Sequence, residues 1–369
     1  MLLCLLLFAV ADFEALLRQG LEALQRNNLP TAILRLESAA KVQPSNPKVW
    51  LALAQTYRKS GRKQSAESAV RKAEAMGGKE AVILHGLAIY YEESDLAKAG
   101  EFESRYARLA HGDREAFGRA AAFFERAGDS KRAINTLQEA IRANPYQESY
   151  QFELAYILIA HQNFDAAITV LEAARRTFDK SPQIELALGV AYYGQRRFAD
   201  AVDAFLRTAA LAPEIQQPYV FLGRILQHGE GRIDEITGKF AAFAKANPES
   251  YLAQFLYGKA LNAQEKDAEP LLRRSIALNE KFWESHFELA GVLEQKRDFA
   301  GAAKHLELAV ALNPKDSAIH YRLARIYDRL GKSDAAAAER ALHEKLSAEE
   351  KSAIEKHAAG LKRLEIVVK

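Results

Sequence analysis

The sequence predicts an all-α protein built from about ten copies of one helix–turn–helix unit. Four prolines follow helix-like stretches at spacings close to multiples of 34 residues, as expected of a repeat. An alignment on these prolines places glycine or alanine at the eighth position of every unit. No segment alternates apolar and polar residues as a half-buried β-strand does. The prolines are Pro145, Pro213, Pro248 and Pro314.

The alignment divides residues 13–350 into units that begin near residues 13, 47, 81, 114, 148, 182, 216, 251, 283 and 317. Glycine and alanine make up about a quarter of the chain, so ten small residues in ten units are far beyond chance. Small residues are required where antiparallel helices cross closely, because larger side chains would separate the backbones. The eighth-position residues are Gly20, Ala54, Ala88, Ala121, Ala155, Gly189, Gly223, Gly258, Ala290 and Ala324. Position 20, in the second helix, has Ala32, Ala66, Ala133, Ala167, Ala201, Ala268, Ala302 and Ala336.

Glycines and prolines mark the turns between the predicted helices. Gly61, Gly128 and Gly331 stand where first helices are expected to end, since glycine adopts the left-handed conformation most easily. Prolines fall between helices or in a first helical turn, as Pro182 and Pro218 do, where no backbone N–H is lost. Each unit is therefore predicted to consist of two antiparallel helices.

The pattern resembles the tetratricopeptide repeat over residues 13–350. The resemblance implies a right-handed superhelical solenoid whose first helices line a concave groove, and that groove holds a peptide or a partner's helix. Stacking the units would bury one continuous core, so a single solenoid is expected over residues 12–346. One unit matches through Trp50, Leu53, Ala54, Tyr57, Gly61, Ala66 and Ala73, and another through Leu289, Ala290, Phe299, Ala302, Leu306, Ala309 and Pro314.

Three units depart from the pattern, and the segment after the last unit has a pattern of its own. A blurred second helix, a glycine-rich turn and a shortened turn mark possible bends in units 81–113, 216–250 and 251–282, respectively. Ser347 and Glu350 form a capping-box pattern that predicts a helix start. Residues 347–369 are therefore expected to be a capping helix, over about 348–364, and a tail that closes the stack.

The N-terminal segment is wholly apolar over residues 1–10 and is too short to span a membrane. Ala9 and Ala11 supply small residues at the positions that a signal peptidase reads, just before Asp12. No lysine or arginine precedes the apolar run. Residues 1–11 are therefore either a truncated signal segment, which implies export to a bacterial periplasm or envelope, or an apolar first helix of a cytoplasmic protein.

The resemblance places positions 2, 5, 9 and 12 of each unit on the groove. Between residues 148 and 262 these positions include apolar and aromatic side chains that the core, already supplied by positions 7 and 8, does not need, whereas the two ends of the groove are more polar. A contiguous apolar patch typically marks a binding site, although adjacent first helices could instead bury it between them. We expect a mid-groove partner site with a basic rim for an acidic group. It comprises Phe152, Tyr156, Leu186, Val190, Tyr193, Val220, Arg224, Phe255 and Lys259.

Catalytic, cofactor-binding and metal-ligating residues are not predicted. The single cysteine, Cys4, excludes a disulfide scaffold or cysteine-rich zinc site, and the repeats leave little room for a catalytic domain. His286 and His320 occupy the same position in adjacent units, but no third ligand accompanies them, so packing is the favoured interpretation.

Function follows from the groove and the charge balance. A net charge of +3 gives no broad basic surface for nucleic acid. The sequence favours a non-enzymatic scaffold that binds a protein helix or apolar peptide in assembling an envelope or secretion complex. An accessory subunit that delivers substrate to a separate enzyme, for example in polysaccharide export, stays open as an alternative. An RNA-binding helical repeat is disfavoured because the mid-groove positions are mostly aliphatic.

Overall fold

The computed structural model describes the backbone of residues 2–228 and 231–367, and the side chains of residues 12–228 and 231–352. Within those ranges the chain has twenty α-helices, one 3₁₀ helix and no strand, so the all-α prediction is confirmed. The first helices of the units are α1 (Leu2–Gln25), α3 (Pro47–Lys59), α5 (Ala81–Tyr91), α7 (Ala116–Arg126), α9 (Glu148–Ala160), α11 (Pro182–Gly194), α13 (Gln217–Arg224), α15 (Tyr251–Ala263), α17 (Trp283–Gln295) and α19 (Ser317–Arg329).

The second helices alternate with the first along the chain. Nine of the ten pack closely against the first helix of their own unit, and the exception is the second helix of the glycine-rich unit 216–250. They are α2 (Leu29–Val42), α4 (Lys63–Gly77), α6 (Leu96–Leu109), α8 (Ser130–Ala143), α10 (Phe164–Thr177), α12 (Phe198–Leu211), α14 (Ile233–Ala246), α16 (Glu269–Leu278), α18 (Phe299–Leu312) and α20 (Ser333–Val367). The 3₁₀ helix, Leu226–His228, follows the short α13 in the glycine-rich unit where the sequence indicated a departure.

The chain divides into two compact halves, an N-terminal half of residues 1–179 and a C-terminal half of residues 180–369. The sequence predicted one solenoid over residues 12–346. The division falls in the turn between α10 and α11. Repeats contact mainly their immediate neighbours, so a repeat array has no central core that would prevent a division at such a turn. Each half of the chain holds five helical pairs with their own buried core.

Small residues occupy the crossings between paired helices, as the repeat alignment requires. All ten eighth-position residues are buried, and so are all eight alanines at position 20. Gly189 on α11 faces Phe205 on α12, and a Cβ atom added to Gly189 would overlap the fully buried phenylalanine ring. Side-chain size at these positions therefore limits how closely the two helices of a unit pack.

The fourth residue of a unit closes the turn that precedes it. In six units its side chain contacts the backbone carbonyl six residues earlier, as Trp50 Nε1 does at 2.7 Å from the carbonyl oxygen of Pro44. This contact satisfies a turn carbonyl that the following helix cannot reach. The five other pairs are Gln151 with Pro145, Tyr219 with Pro213, Gln254 with Pro248, His286 with Glu280 and His320 with Pro314.

The turn within a unit requires a left-handed backbone at position 15. Gly61, Gly128 and Gly331 have φ angles of +74°, +76° and +72°, which confirms their predicted role. Five other units place a residue with a side chain in the same conformation, at some conformational cost. These residues are Asn27, Gln162, Arg196, Glu265 and Arg297.

The C-terminal helix differs from its prediction. The sequence placed a helix start at Ser347, but α20 runs from Ser333 to Val367 without interruption. The Ser347 hydroxyl lies 3.4 Å from Nδ1 of His343, inside the helix, so it does not cap a new one. No glycine or proline stands between residues 333 and 359, and nothing in the chain therefore ends the helix there.

The N-terminal segment continues directly into the fold. Residues 2–11 form the first part of α1. The side chains of residues 1–11 lie outside the described residues, and export of the chain stays a prediction. Among the helices that the structure describes, none has both the length and the apolar character needed to cross a membrane.

Two glycine-to-alanine changes should have opposite effects on stability. Gly189→Ala forces a methyl group against the buried ring of Phe205 and should destabilise the protein by about 1–3 kcal/mol. Gly238, an exposed residue inside α14, has no atom within 4 Å of an added Cβ. Gly238→Ala should therefore stabilise the protein by about 0.5–1 kcal/mol. Urea unfolding of both variants tests this, and a stabilising Gly189→Ala would contradict the packing argument.

Candidate functional site: a groove between α7 and α9

Helix α9 is apolar on two faces, and only one of them enters the core. Tyr150, Leu154 and Ala155 are buried against the neighbouring helices. The Tyr150 hydroxyl donates a hydrogen bond of 2.7 Å to the carbonyl of Arg114, just before α7. This bond ties α9 to the start of α7 and leaves the other apolar face of α9 directed away from the core.

That second face lines a groove of about 760 Å³ between α7 and α9, within the N-terminal half of the chain. Phe152 is half-buried in its wall, and Tyr156 is 66% exposed. An exposed aromatic side chain beside a cavity of this size is typical of a binding surface. Both residues belong to the patch expected from the sequence. The remaining apolar lining includes Ala121, Ala122 and Ile157.

The α7 side of this groove was missed by the sequence analysis. Positions 2, 5, 9 and 12 of unit 114–147 all line the groove, so the same positions that describe α9 also describe α7. They carry small or charged side chains, which a search for apolar residues passes over. These residues are Glu115, Gly118, Ala122 and Glu125.

Glu153 is a further lining residue that the sequence did not predict. It follows Phe152 at position 6, outside the groove positions, and its carboxylate lies against Gly118. It forms no hydrogen bond or ion pair with any residue whose side chain the structure describes. Burial raises the pKa of Glu153, and the negative charge of Glu115 raises it further.

The two arginines of the groove are already paired with other acids. Arg119 Nη2 lies 2.6 Å from Asp113 and 2.7 Å from Glu103, and Arg126 lies 3.1 Å from Glu92. Glu103 is only 1% exposed, so Arg119 compensates a carboxylate that is otherwise costly to bury. The strong hydrogen bond from Arg119 holds the pKa of Asp113 down at about 2. Neither arginine is therefore available to neutralise Glu153.

Glu125 adds a further carboxylate at the groove. One of its oxygens lies 2.5 Å from Nε2 of His161. The other oxygen is buried and has no hydrogen-bond partner among the described residues. Together with Glu115 and Glu153, it makes the polar part of this groove acidic. The basic rim expected from the sequence, Arg224 and Lys259, does not line this groove and lies within residues 180–369.

The other seven predicted patch residues lie in the C-terminal half of the chain. Leu186, Val190 and Val220 are half-buried. Tyr193 is also half-buried and packs against Phe198 and Phe221, with ring centroids 6.0 and 5.5 Å apart, so part of its surface belongs to the core.

Phe255 and the basic residues near it differ from expectation. Phe255 is only 6% exposed and packs edge-on against Phe282, so its assignment to an open surface is wrong. Lys259 lies 4.0 Å from the carboxylate of Glu288, which partly neutralises the expected basic rim. Arg224 is exposed, as expected.

The two histidines at equivalent positions serve their own repeats. His286 Nδ1 lies 3.0 Å from Nδ1 of His305, and His320 Nδ1 lies 2.6 Å from Glu339. Burial, together with the nearby His286, lowers the pKa of His305 to about 4. Among the described side chains, no three potential metal ligands come together.

Repeated helical pairs with a lined groove define the class of this protein, an α-helical repeat protein. Two family profiles, both described as "Tetratricopeptide repeat", match the sequence. The first matches residues 17–81, 120–183 and 152–214, and the second matches residues 293–341. These matches cover more than half of the chain, which therefore belongs to the tetratricopeptide repeat family. It is a protein-interaction scaffold, of a family that is generally non-catalytic.

Solved structures with similar folds come from several systems. The crystal structure of yeast Tom70 covers 95% of this chain and 96% of its own, at 16% identity and a TM-score of 0.43. The crystal structure of the APC/C hetero-tetramer Cut9–Hcn1 covers 93% of this chain and 89% of its own, at 15% identity and a TM-score of 0.43. The structure of PilF from Pseudomonas aeruginosa covers 58% of this chain and 99% of its own, at 19% identity and a TM-score of 0.34. A comparison with curated proteins found no match. Family membership rests on the repeat profiles, not on these likenesses.

The Glu153 carboxylate, which pairs with no described side chain, should lower stability at neutral pH. Its pKa is higher in the folded than in the unfolded chain, so the ionised form disfavours folding. Glu153→Gln should therefore raise the unfolding midpoint at pH 7. This gain should disappear as the pH falls through the raised pKa, where the wild-type carboxyl is protonated. Thermal unfolding from pH 4 to 8 measures it, with exposed Glu22→Gln on α1 as the control.

Proposed function

We propose that the chain is a non-enzymatic scaffold that binds an amphipathic helix or an apolar peptide segment of a protein partner in the α7–α9 groove. The observation that carries this proposal is the groove of about 760 Å³ with Phe152 in its wall and Tyr156 two-thirds exposed. Burying an exposed aromatic side chain against a partner is a strong source of binding energy.

The charges of the groove favour a protein partner over RNA. Glu115, Glu125 and Glu153 would repel phosphate groups, and both groove arginines are held by other carboxylates. RNA-binding repeats need basic or polar surfaces on which bases stack. An apolar surface with acidic groups instead suits a protein segment with apolar and basic side chains.

The proposal extends to the setting in which the scaffold works. The apolar run over residues 1–10, with the small residues Ala9 and Ala11 just before Asp12, supports export and a role in assembling an envelope or secretion complex. Mass spectrometry of the mature protein tests export directly. A chain that begins at Asp12 supports it, and an intact Met1 in the native cells contradicts it.

Replacing Tyr156 with glutamate should abolish partner capture without unfolding the protein. The change puts a charge on the apolar surface, and Tyr156 is too exposed for it to disrupt the core. Crosslinking mass spectrometry in the native cells, on tagged full-length protein, should show a partner crosslinked near residues 115–157 in the wild type. That crosslink should be lost in Tyr156→Glu, while the helical content stays unchanged.

Tyr146→Glu is the matched control for this experiment. Tyr146 is a 79% exposed tyrosine in the turn before α9. It lies in the same half of the chain as Tyr156 but does not line the groove. It should retain the partner. Crosslinks that persist in Tyr156→Glu, or that map only outside residues 115–157, contradict the groove proposal. Recovery of an enzyme as the partner would support the accessory-subunit alternative.

A further inference from the structure

The α7–α9 groove contains a carboxylate, that of Glu153, which no side chain described by the structure neutralises. Building on the proposed function, we propose that the groove selects partner segments with a lysine or arginine among apolar residues, and that the Glu153 carboxylate receives the cation. The inference rests on the position of the carboxylate, the pairing of its neighbours and the small residue opposite it.

The Glu153 carboxylate lies beside the aromatic side chains of the groove. Glu153 stands on α9 between Phe152 and Tyr156, and all three side chains line the same groove. A partner residue that packs on either aromatic side chain therefore lies within reach of the carboxylate. A cation there would have an aromatic surface beside it as well as an acid.

The groups around Glu153 do not neutralise its charge. Glu153 has no hydrogen-bond donor or cation bonded to it in the part of the chain that the structure describes, and the nearby Glu115 adds negative charge. Arg119 binds Asp113 and Glu103 and lies 4.0 Å from Glu115, while Arg126 binds Glu92. A partly buried carboxylate among apolar walls gains more from an incoming cation than an exposed one does.

A glycine lies opposite the Glu153 carboxylate. Gly118 on α7 leaves the space that the Glu153 carboxylate occupies, since an added Cβ would lie 2.5 Å from one carboxylate oxygen and 2.9 Å from the other. Glycine inside a helix is unfavourable relative to alanine. Gly118 therefore leaves room for the carboxylate against α7 at the expense of helix stability.

The chemistry of the groove defines the segment that fits. The apolar lining would bury aliphatic or aromatic side chains, and one basic side chain would neutralise Glu153 through a charge-assisted hydrogen bond. An acidic side chain would meet Glu115, Glu125 and Glu153 and be repelled. The groove should thus prefer basic amphipathic segments to acidic ones of equal hydrophobicity.

Selection from a random twelve-residue peptide display library on the immobilised full chain tests the inference. Wild-type protein, counter-selected against Tyr156→Glu, should enrich peptides with apolar residues and lysine or arginine at one position. Selection on Glu153→Gln should keep the apolar preference and return the basic position to its library frequency. In a selected peptide, lysine to norleucine should weaken binding to wild type about tenfold and to Glu153→Gln less than twofold.

Two further variants complete the design. Gly118→Ala should displace the carboxylate and weaken the lysine peptide without reducing the helical content, whereas exposed Glu22→Gln should bind like wild type. Tyr156-dependent peptides without a basic preference, or unchanged lysine discrimination in both Glu153→Gln and Gly118→Ala, overturn the inference and leave the groove proposal standing. If no selected peptide depends on Tyr156, the groove proposal fails and the inference fails with it.

Discussion

The close crossing of paired helices is the constraint on which the rest of this structure depends. Gly189 and Ala155 are typical of the positions where one helix meets the next, and all ten such residues are buried. Because the crossing residues are small, large side chains from the partner helix, such as Phe205, fill the space beside them. The core of each repeat is thereby completed by positions 7 and 8, and the groove positions are left free to vary.

The sequence predicted the repeats well because their determinants are local. Small residues and turn glycines such as Gly61 and Gly128 recur at fixed spacing, so one register describes all ten units. Residues such as Gln162 and Arg196 were not predicted to adopt the left-handed conformation, because the packing of adjacent helices imposes it against their intrinsic preference. The Ser347 pattern misled for the opposite reason, since a capping box inside a continuous helix has no free helix end to cap.

The sequence predicted which positions of a repeat line the groove. It did not predict that the groove lies between α7 and α9 or that its polar side chains are acidic. Phe152 and Tyr156 were found because they are apolar residues at groove positions. Gly118 and Glu153 were missed, because the significance of each depends on the other across two helices that are far apart in sequence. Phe255 occupies a groove position and is buried by Phe282, which shows that a position in the repeat does not determine exposure.

Glu153 and Gly118 are best understood together as residues that favour binding over stability. The fold alone would be more stable with an uncharged residue at 153, because burial disfavours the ionised carboxylate, and with alanine at 118. Natural proteins tolerate such local conflicts mainly at functional sites. In contrast, the buried carboxylate of Glu103 is matched by Arg119 within the chain. The chain compensates the buried acid Glu103 and leaves the partly buried Glu153 open to its groove, which favours recognition over packing as the role of Glu153.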